Sequence, residues 1–176
     1  MRFLLSFLFS STLFFANAQE STLVWHTDMM KAVDLSIKEK KPLMLFFTGS
    51  DWCGWCKKLD KDVYENPVIE KYIGENFYAV KMNSETEGQV VFQGDTFKLL
   101  PHNGRKLTNT LALKLMNNRS AYPTTAFLDE KLSLFTSIPG YMEAKEYEAV
   151  IKYFSQNAYK TQSWDDYKLK FVAESK

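Results

Sequence analysis

The stretch from Lys41 to Lys57 constrains the fold of this chain more than any other. After Pro42 it holds a short apolar run that ends at Phe47, and a run of this length bounded by proline and polar residues is typical of a buried strand. Thr-Gly-Ser-Asp then ends the strand. Cys53 and Cys56 follow, at the start of a segment with the composition of an amphipathic helix. The sequence therefore predicts a buried strand, a turn and a helix that begins at two cysteines.

The start of a helix favours a thiolate over a thiol. Its first turn carries unpaired backbone N–H groups and the positive end of the helix macrodipole, so we expect a lowered pKa for Cys53. Cys56 lies one turn further along the same face and is expected to be less exposed. It can attack a mixed disulfide formed at Cys53 and release the partner. The pair can therefore cycle between dithiol and disulfide.

The strand, the run Trp52-Cys53-Gly54-Trp55-Cys56-Lys57 and the helix resemble the thioredoxin superfamily, in particular the exported thioredoxin-like proteins of bacteria. The resemblance implies an α/β thioredoxin-like fold, with a central mixed β-sheet flanked by helices. It also implies thiol–disulfide exchange with Cys53 and Cys56 as the catalytic residues. Trp52 and Trp55 are then expected beside the substrate. No cofactor is expected besides the redox-active Cys53–Cys56 disulfide.

Two later stretches match further landmarks of the same family. Tyr122-Pro123 precedes the apolar run Thr124 to Leu128, and the resemblance implies a cis bond before Pro123, packed against the cysteines. The backbone at Tyr122 would then pair with an extended substrate peptide. Gly140 matches a family glycine whose missing side chain lets substrate come close. Ordinary turn residues are the alternative interpretation of both positions.

The resemblance also bears on proton transfer. In the family, a strand after the active-site helix carries a lysine that approaches the cysteine pair, and Lys81 stands at that position in the predicted strand Phe77 to Met82. The family places a buried acid six residues before the first cysteine, where this chain has Phe47. Proton transfer through Lys81 is therefore expected, with water and Glu85 as alternative acceptors for Cys56.

The segment of about 84–120 is longer than the usual connection of about 2–6 residues and is predicted to be an insertion before the cis-proline loop. Within it, Val90 to Phe92 and Thr96 to Leu100 are expected to form a hairpin around Gly94-Asp95. Leu107 to Asn117 has helical spacing of its leucines. A long segment near a reactive site is a candidate surface for partner recognition.

Residues 1–18 have the form of a secretory signal peptide. Arg2 precedes a run rich in Phe and Leu, and Ala16-Asn17-Ala18 offers small residues for cleavage. The run is short for a membrane span, so we expect cleavage after Ala18, no stable membrane insertion and a periplasmic or secreted protein. The remaining residues, 19–176, have the length of one thioredoxin-like domain, for which we expect a monomer.

The charge and the cysteine count limit the possible functions. Removal of residues 1–18 takes away one basic residue, Arg2, and leaves basic and acidic side chains balanced, so nothing indicates a nucleic-acid partner. With only two cysteines, the chain has no disulfide framework. A bridge across so short a loop constrains the unfolded chain little, which favours redox use over a structural role. No metal site is expected, because Cys53, Cys56, His26 and His102 match no common zinc spacing.

These observations predict a thiol–disulfide oxidoreductase, acting as reductase or isomerase on protein or peptide disulfides in the cell envelope. Because the chain has no third cysteine, its electron donor must be another molecule, which the sequence does not identify. Two alternatives remain open. One is a non-catalytic binding module with a permanent Cys53–Cys56 disulfide, which holds a partner through 84–120. The other is a peroxidase that uses Cys53, for which Lys57 supplies the nearby positive charge.

Overall fold

The structure, a computed structural model, describes residues 23–102 and 106–175. The predicted signal peptide, residues 1–18, lies outside the described residues. Eight strands are present in the described part of the chain: β1 (Trp25–His26), β2 (Leu43–Thr48), β3 (Tyr78–Asn83), β4 (Gln89–Phe92), β5 (Asp95–His102), β6 (Lys106–Asn109), β7 (Thr124–Leu128) and β8 (Leu134–Pro139).

Six α-helices are present in the same described ranges. They are α1 (Met29–Glu39), α2 (Gly54–Leu59), α3 (Pro67–Asn76), α4 (Thr110–Leu115), α5 (Ala144–Ser155) and α6 (Trp164–Lys170). A π-helical turn over Asp60–Tyr64 continues α2, and a short 3-10 turn lies at Ala158–Lys160. Across the described ranges, no helix is both long and apolar enough to cross a bilayer.

The centre of the protein is a five-stranded mixed sheet in the order β1-β3-β2-β7-β8. β2 lies parallel to β3 and antiparallel to β7, and all six of its residues are buried. A strand buried on both faces needs apolar residues at every position, as the run from Leu43 to Phe47 supplies. The predicted α/β architecture, with a central mixed sheet flanked by helices, is confirmed.

Two hydrophobic clusters cover the two faces of this sheet. Met44 and Phe46 of β2 belong to a cluster that includes both cysteines and buried residues of α2, α3 and α5; we call this side the cysteine face. Leu43, Leu45 and Phe47 point to the opposite face, which α1 and α4 cover. This alternation is the period of two expected of a strand.

The segment predicted as an insertion, 84–120, contains both a new sheet and a core helix. β4, β5 and β6 form a separate three-stranded sheet, and the predicted hairpin is present. Its turn lies at Gln93-Gly94, one residue earlier than predicted; both residues have positive φ, as a tight two-residue hairpin turn requires. α4 contributes Leu111 and Leu115 to the cluster on the opposite face.

Asn109 explains why the helix in this segment begins later than the leucine spacing predicts. Its backbone N–H donates to the Ser84 carbonyl at 2.7 Å, and its side-chain N–H group donates to the Glu87 carbonyl at 3.0 Å. Its side-chain oxygen accepts from the Leu111 N–H at 2.9 Å and so caps α4. Leu107 therefore lies in β6, and α4 runs only over Thr110–Leu115.

A buried carboxylate, Glu148, anchors the C-terminal tail to α5. It accepts hydrogen bonds from Lys152 at 2.7 Å and from the backbone N–H groups of Glu174 and Ser175 at 2.9 and 2.7 Å. Burial raises the pKa of Glu148, but the hydrogen bonds from Lys152 and Ser175 outweigh it and leave the pKa below its ordinary value. The charged form is therefore the one that holds the tail.

We expect Glu148→Gln to lower the free energy of unfolding by about 1.5–3 kcal/mol near neutral pH, because the amide loses the charge-assisted bonds. Since folding lowers the pKa of Glu148, its carboxylate stabilises the fold above the unfolded-state pKa of about 4.3. That contribution is lost as the pH falls through the folded-state value. In urea unfolding, the difference from the wild type should thus shrink below about pH 4.

The matched control for this prediction is Glu146→Gln, which removes an exposed carboxylate from the same helix. It should change the free energy of unfolding by less than about 0.5 kcal/mol. If the difference in free energy of unfolding between Glu148→Gln and the wild type did not vary with pH, the conclusion that the ionised form of Glu148 holds the tail would be wrong.

Candidate active site

Cys53 and Cys56 form a disulfide at the start of α2, with their Cα atoms 5.3 Å apart. Cys53 is the N-cap residue: its N–H donates to Ser50 at 2.9 Å, and its carbonyl accepts from the N–H groups of Cys56 and Lys57. Cys53 is 3% exposed and Cys56 is 4% exposed. The prediction that Cys56 is the less exposed of the two is therefore wrong for the disulfide form, in which both cysteines belong to the apolar cluster.

Glu85 holds the loop that leads to the disulfide. One oxygen of its carboxylate accepts from the Ser50 N–H at 3.0 Å and from the Trp52 indole N–H at 2.7 Å. Glu85 lies in the turn after β3, where its own N–H donates to the Asn83 side chain. The turn therefore folds back toward the cysteine loop, and the carboxylate of Glu85, predicted as an alternative proton acceptor for Cys56, accepts hydrogen bonds from that loop.

Gly49 leaves room for the Trp52 indole. A Cβ atom at Gly49 would lie 2.7 Å from Cζ2 of Trp52 and 3.1 Å from Cδ2 of Tyr122. The first distance is shorter than any van der Waals contact between carbon atoms, and both neighbours are bulky rings. The absence of a side chain at Gly49 therefore sets the position of Trp52 above the loop.

The bond between Tyr122 and Pro123 is cis, which confirms the prediction from the resemblance. Gly140 donates its N–H to the Pro123 carbonyl at 2.7 Å and so lies beside the proline. Its φ is +91°, and a Cβ atom there would meet nothing within 4 Å. The glycine is thus required by its backbone conformation rather than by crowding, and the space next to it is open.

Four aromatic side chains, Trp52, Trp55, Tyr122 and Tyr141, form two ring pairs, and their two tyrosines pack against the cluster that contains both cysteines; we call the four the aromatic rim. Trp52 contacts Tyr122 with ring centroids 6.2 Å apart, and Trp55 contacts Tyr141 at 5.7 Å. Trp52 is 56% exposed and Trp55 is 59% exposed. The structure therefore brings together all the residues predicted to contact substrate: Trp52, Trp55, Tyr122, Pro123 and Gly140.

Tyr141 is the rim residue that the sequence analysis missed. Its hydroxyl donates to Asp62 at 3.2 Å and accepts from Lys58 at 3.2 Å, and Lys58 also pairs with Asp62. Hydrogen bonds to Asp62 and Tyr141 raise the pKa of Lys58 to about 12. The sequence feature that could have identified Tyr141 is its position directly after Gly140, because the loop there packs against the cluster that contains the cysteines.

The cysteine face of the sheet carries no acid at the position expected from the family. Phe47, which the resemblance placed there, points into the cluster on the opposite face, so that assignment is wrong. Phe46 is the residue that faces the cysteine side, and its partner across the sheet is Lys81. Neighbouring side chains of a strand point to opposite faces of the sheet. A difference of one residue in the length of the turn between β2 and Cys53 therefore changes which β2 residue faces the cysteines.

Lys81 pairs with an acid on the helix of the cysteines. Its ammonium lies 2.5 Å from the Asp60 carboxylate, above the rings of Trp25 and Phe46 at 5.6 and 5.5 Å. Asp60 begins the π-helical turn, and its N–H donates to the Cys56 carbonyl. Lys81 is thus on the side of the sheet that the resemblance implies, with Asp60 as its partner.

Neutral hydroxyl groups fill the interior below the site. The Tyr64 hydroxyl lies 2.8 Å from that of Thr125 and 3.0 Å from that of Tyr147. Burial raises the pKa of Tyr64 well above its ordinary value, with a smaller contribution from Tyr147, and burial raises that of Tyr147 as well. These hydroxyls stay protonated and bind one another.

The sequence offers four candidate metal ligands, Cys53, Cys56, His26 and His102, and the two cysteines form the disulfide. His26 contacts the Tyr78 ring at 5.7 Å, and burial lowers its pKa; His102 ends β5. Within 23–102 and 106–175, no three or more His, Cys, Asp and Glu side chains are grouped so that they could hold a metal ion.

Residues 29–155 match a family described as a thioredoxin-like domain, which is more than half of the chain. The chain belongs to this family. The match begins at α1 and ends with α5, so it includes the cysteine pair, the cis-proline loop and the intervening three-stranded sheet.

Among curated proteins, the chain is similar to a thioredoxin-related protein, DsbJ, of Chlamydia pneumoniae, with 36% identity over 38% of this chain and 19% of the relative. It is also similar to a disulfide bond reductase, DsbH, of the same organism, with 32% identity over 36% of this chain and 37% of the relative. The matched part thus spans well under half of either relative.

Among solved structures, a thioredoxin-fold protein from Helicobacter pylori superposes with a TM-score of 0.56 at 22% identity. The match covers 75% of this chain and 80% of that protein. At this identity, the likeness shows the shared fold.

The close contact at Gly49 predicts opposite effects of two alanine substitutions. Gly49→Ala should lower the free energy of unfolding by about 1–3 kcal/mol, because the new methyl group collides with the rings of Trp52 and Tyr122. Gly54→Ala meets nothing within 4 Å and should raise it by about 0.4–1 kcal/mol, because alanine loses less entropy on folding. Urea unfolding of the two oxidised variants measures both values; equal effects would contradict the packing of Trp52 on Gly49.

Proposed function

We propose that the protein is a thiol–disulfide oxidoreductase for protein or peptide disulfides, acting as reductase or isomerase. The observation that carries this proposal is the Cys53–Cys56 disulfide at the start of a helix, beside a cis-proline loop and the aromatic rim. A helix start favours the thiolate form of the N-cap cysteine. The relative DsbH, named a disulfide bond reductase, supports the same activity and direction.

In the proposed reaction, the reduced protein attacks a substrate disulfide. The Cys53 thiolate forms a bond to one substrate sulfur, and the other substrate sulfur leaves as a thiolate that takes up a proton. Cys56 then loses its proton and attacks Cys53. The Cys53–Cys56 bond forms, the bond to the substrate breaks, and the substrate carries away both electrons. A separate thiol donor, whose identity is open, must reduce Cys53–Cys56 for the next cycle.

Substrate binding is proposed at the loop that contains Tyr122. An extended peptide would pair with the Tyr122 backbone, since β7 begins only at Thr124 and Pro123 before it has no N–H to donate to the sheet. The open space beside Gly140 admits the peptide. Exposed Trp52 and Trp55 would contact the residues that flank the substrate cysteine, because indole rings bury large apolar area.

The proposed localisation of this activity is argued from the sequence of residues 1–18. We propose that residues 1–18 direct export and are cleaved after Ala18, and that residues 19–176 act as one monomeric domain in the periplasm or outside the cell. Disulfides form and persist in such oxidising compartments. The proposed partners are exported proteins with disulfides and an electron donor.

A trapping experiment tests the activity. Cys56→Ser leaves the attacking thiol but removes the resolving one, so mixed disulfides with exported proteins should accumulate through Cys53. They should appear on non-reducing gels and disappear after addition of dithiothreitol. Cys53→Ser/Cys56→Ser, the matched control, should trap nothing. If the single variant also traps nothing, the proposed exchange reaction is wrong.

One observation favours the alternative of a binding module. Leu100 lies opposite Thr108 and Leu107 lies opposite Pro101, so the two leucines project from opposite faces of the three-stranded sheet, where they are 50% and 47% exposed. If either exposed leucine holds the partner and the disulfide is inert, the double-serine variant should retain the same partners without a covalent bond. Leu100→Ser/Leu107→Ser should then release them, whereas it should leave trapping by Cys56→Ser intact if the protein is an oxidoreductase.

The direction of exchange predicts the reduction potential of the Cys53–Cys56 pair. A reductase should have a value near that of thioredoxin, about −270 mV. Equilibration of the protein lacking residues 1–18 with thiol/disulfide buffers measures it. A value near about −120 mV would make the protein an oxidant of other thiols and would overturn the proposed direction.

A further inference from the structure

Cys56 must lose a proton before it can attack, and the side chains of its apolar cluster include no suitable proton acceptor. Cys56 is 4% exposed, and the sheet presents Met44 and Phe46 of β2 and Ala79 of β3 to the same cluster. None of these three side chains can accept a proton. The Tyr64 hydroxyl is also unsuitable as a base, because burial raises its pKa and keeps it protonated.

Asp60 is the acid placed closest to Cys56 along the helix. It lies four residues after Cys56, and its N–H donates to the Cys56 carbonyl, so the two side chains occupy the same face on consecutive turns. The Lys81 ammonium holds the Asp60 carboxylate at 2.5 Å. Because Lys81 lies on the cysteine side of the sheet over Phe46, this pair fixes the carboxylate between the helix and the sheet.

Water has access to this carboxylate. A cavity of about 350 Å³ has the pair in its lining, which is room for several waters. The side chains of Asp60 and Lys81 are 27% and 36% exposed. The titratable and charged groups that face the cavity are Asp60, Tyr64, Glu65, Glu70 and Lys81. Lys57, directly after Cys56, is exposed.

We propose that Asp60, held in place by Lys81, accepts the proton of Cys56 through water when Cys56 resolves the mixed disulfide. In this step the Cys56 thiol gives its proton to the Asp60 carboxylate, and its sulfur attacks the sulfur of Cys53. The Cys53–Cys56 bond forms, the bond from Cys53 to the substrate breaks, and the substrate sulfur leaves as a thiolate. That thiolate takes up the proton from Asp60 through solvent. Cys56 is oxidised and the substrate sulfur is reduced.

This inference rests on the proposed function and deepens it. It replaces Lys81 as the proton acceptor by the carboxylate with which Lys81 pairs, that of Asp60. A lysine ammonium has no lone pair, so Lys81 acts here as a positioning residue. Glu65 and Glu70 face the same cavity, but neither lies within one helical turn of Cys56. They provide matched carboxylates for a test.

The two chemical steps can be separated with dithiobis-nitrobenzoate as the probe. Reduced protein releases one thionitrobenzoate when Cys53 attacks the reagent and a second when Cys56 attacks the resulting mixed disulfide. Stopped-flow absorbance therefore records two phases. We expect Asp60→Asn to leave the first phase within about twofold and to slow the second about tenfold or more near pH 7, since a lost general base costs at least that much.

The pH profile distinguishes proton transfer from a structural defect. The deficit of Asp60→Asn in the second phase should disappear above about pH 9, where an ordinary cysteine thiol ionises without a base. Glu70→Gln, which removes a carboxylate from the same cavity, should match the wild type in both phases. Lys81→Met retains Asp60 but removes the ammonium group that holds the Asp60 carboxylate in place. This variant should slow only the second phase, by about threefold at neutral pH.

Several outcomes would overturn the inference. It fails if Asp60→Asn and Glu70→Gln give the same second phase at every pH, or if the deficit of Asp60→Asn persists unchanged above pH 9. If Asp60→Asn does not fold, the rate of the second phase in Lys81→Met tests the proposal by itself. A second phase equal to that of the wild type would then refute it. If the reduced wild type shows no second phase, the exchange activity itself is absent and the proposed function fails instead.

Discussion

The pairing register of β2 is the constraint on which the site depends. Thr48, its last residue, lies opposite Asn83 of β3, and Phe47 lies opposite Thr124 of β7. The carboxyl ends of β2 and β3 therefore meet the amino end of β7 at one edge of the sheet. Thr124 in turn lies opposite Pro139 at the end of β8. The cysteine loop, the Glu85 turn, the cis-proline loop and Gly140 follow from these four strand ends, although they are far apart in sequence.

This arrangement explains which parts of the site the sequence could predict. The cysteine pair and the apolar run before it are local signals, because composition and spacing over seventeen residues define a strand, a turn and a helix start. Pro123 and Gly140 became informative only through the resemblance, which supplied their positions relative to the cysteines. The cis bond and the hydrogen bond from Gly140 to Pro123 agree with that resemblance.

The features that the sequence did not predict depend on contacts between distant residues. The cap on α4 is one of them: Asn109 ends a strand and begins a helix because its backbone and side chain bind Ser84, Glu87 and Leu111. The faces of β2 are another. Counting back from Cys53 assigned Phe47 to the cysteine side, but the length of the turn decides the face, and only the packed sheet shows that Phe46 lies there.

The contrast between the sulfurs and the aromatic rim bears on how a partner would approach. Both cysteines are almost fully buried, whereas Trp52 and Trp55 are more than half exposed. A partner would therefore meet indole rings before it meets sulfur. Rings of this kind bind apolar and cationic side chains, so selection among disulfides would begin with the residues beside the substrate cysteine. Because Glu85 holds Trp52 while Lys58 and Asp62 hold Tyr141, these two rings of the aromatic rim are pre-organised, and a partner that bound them would not have to order them.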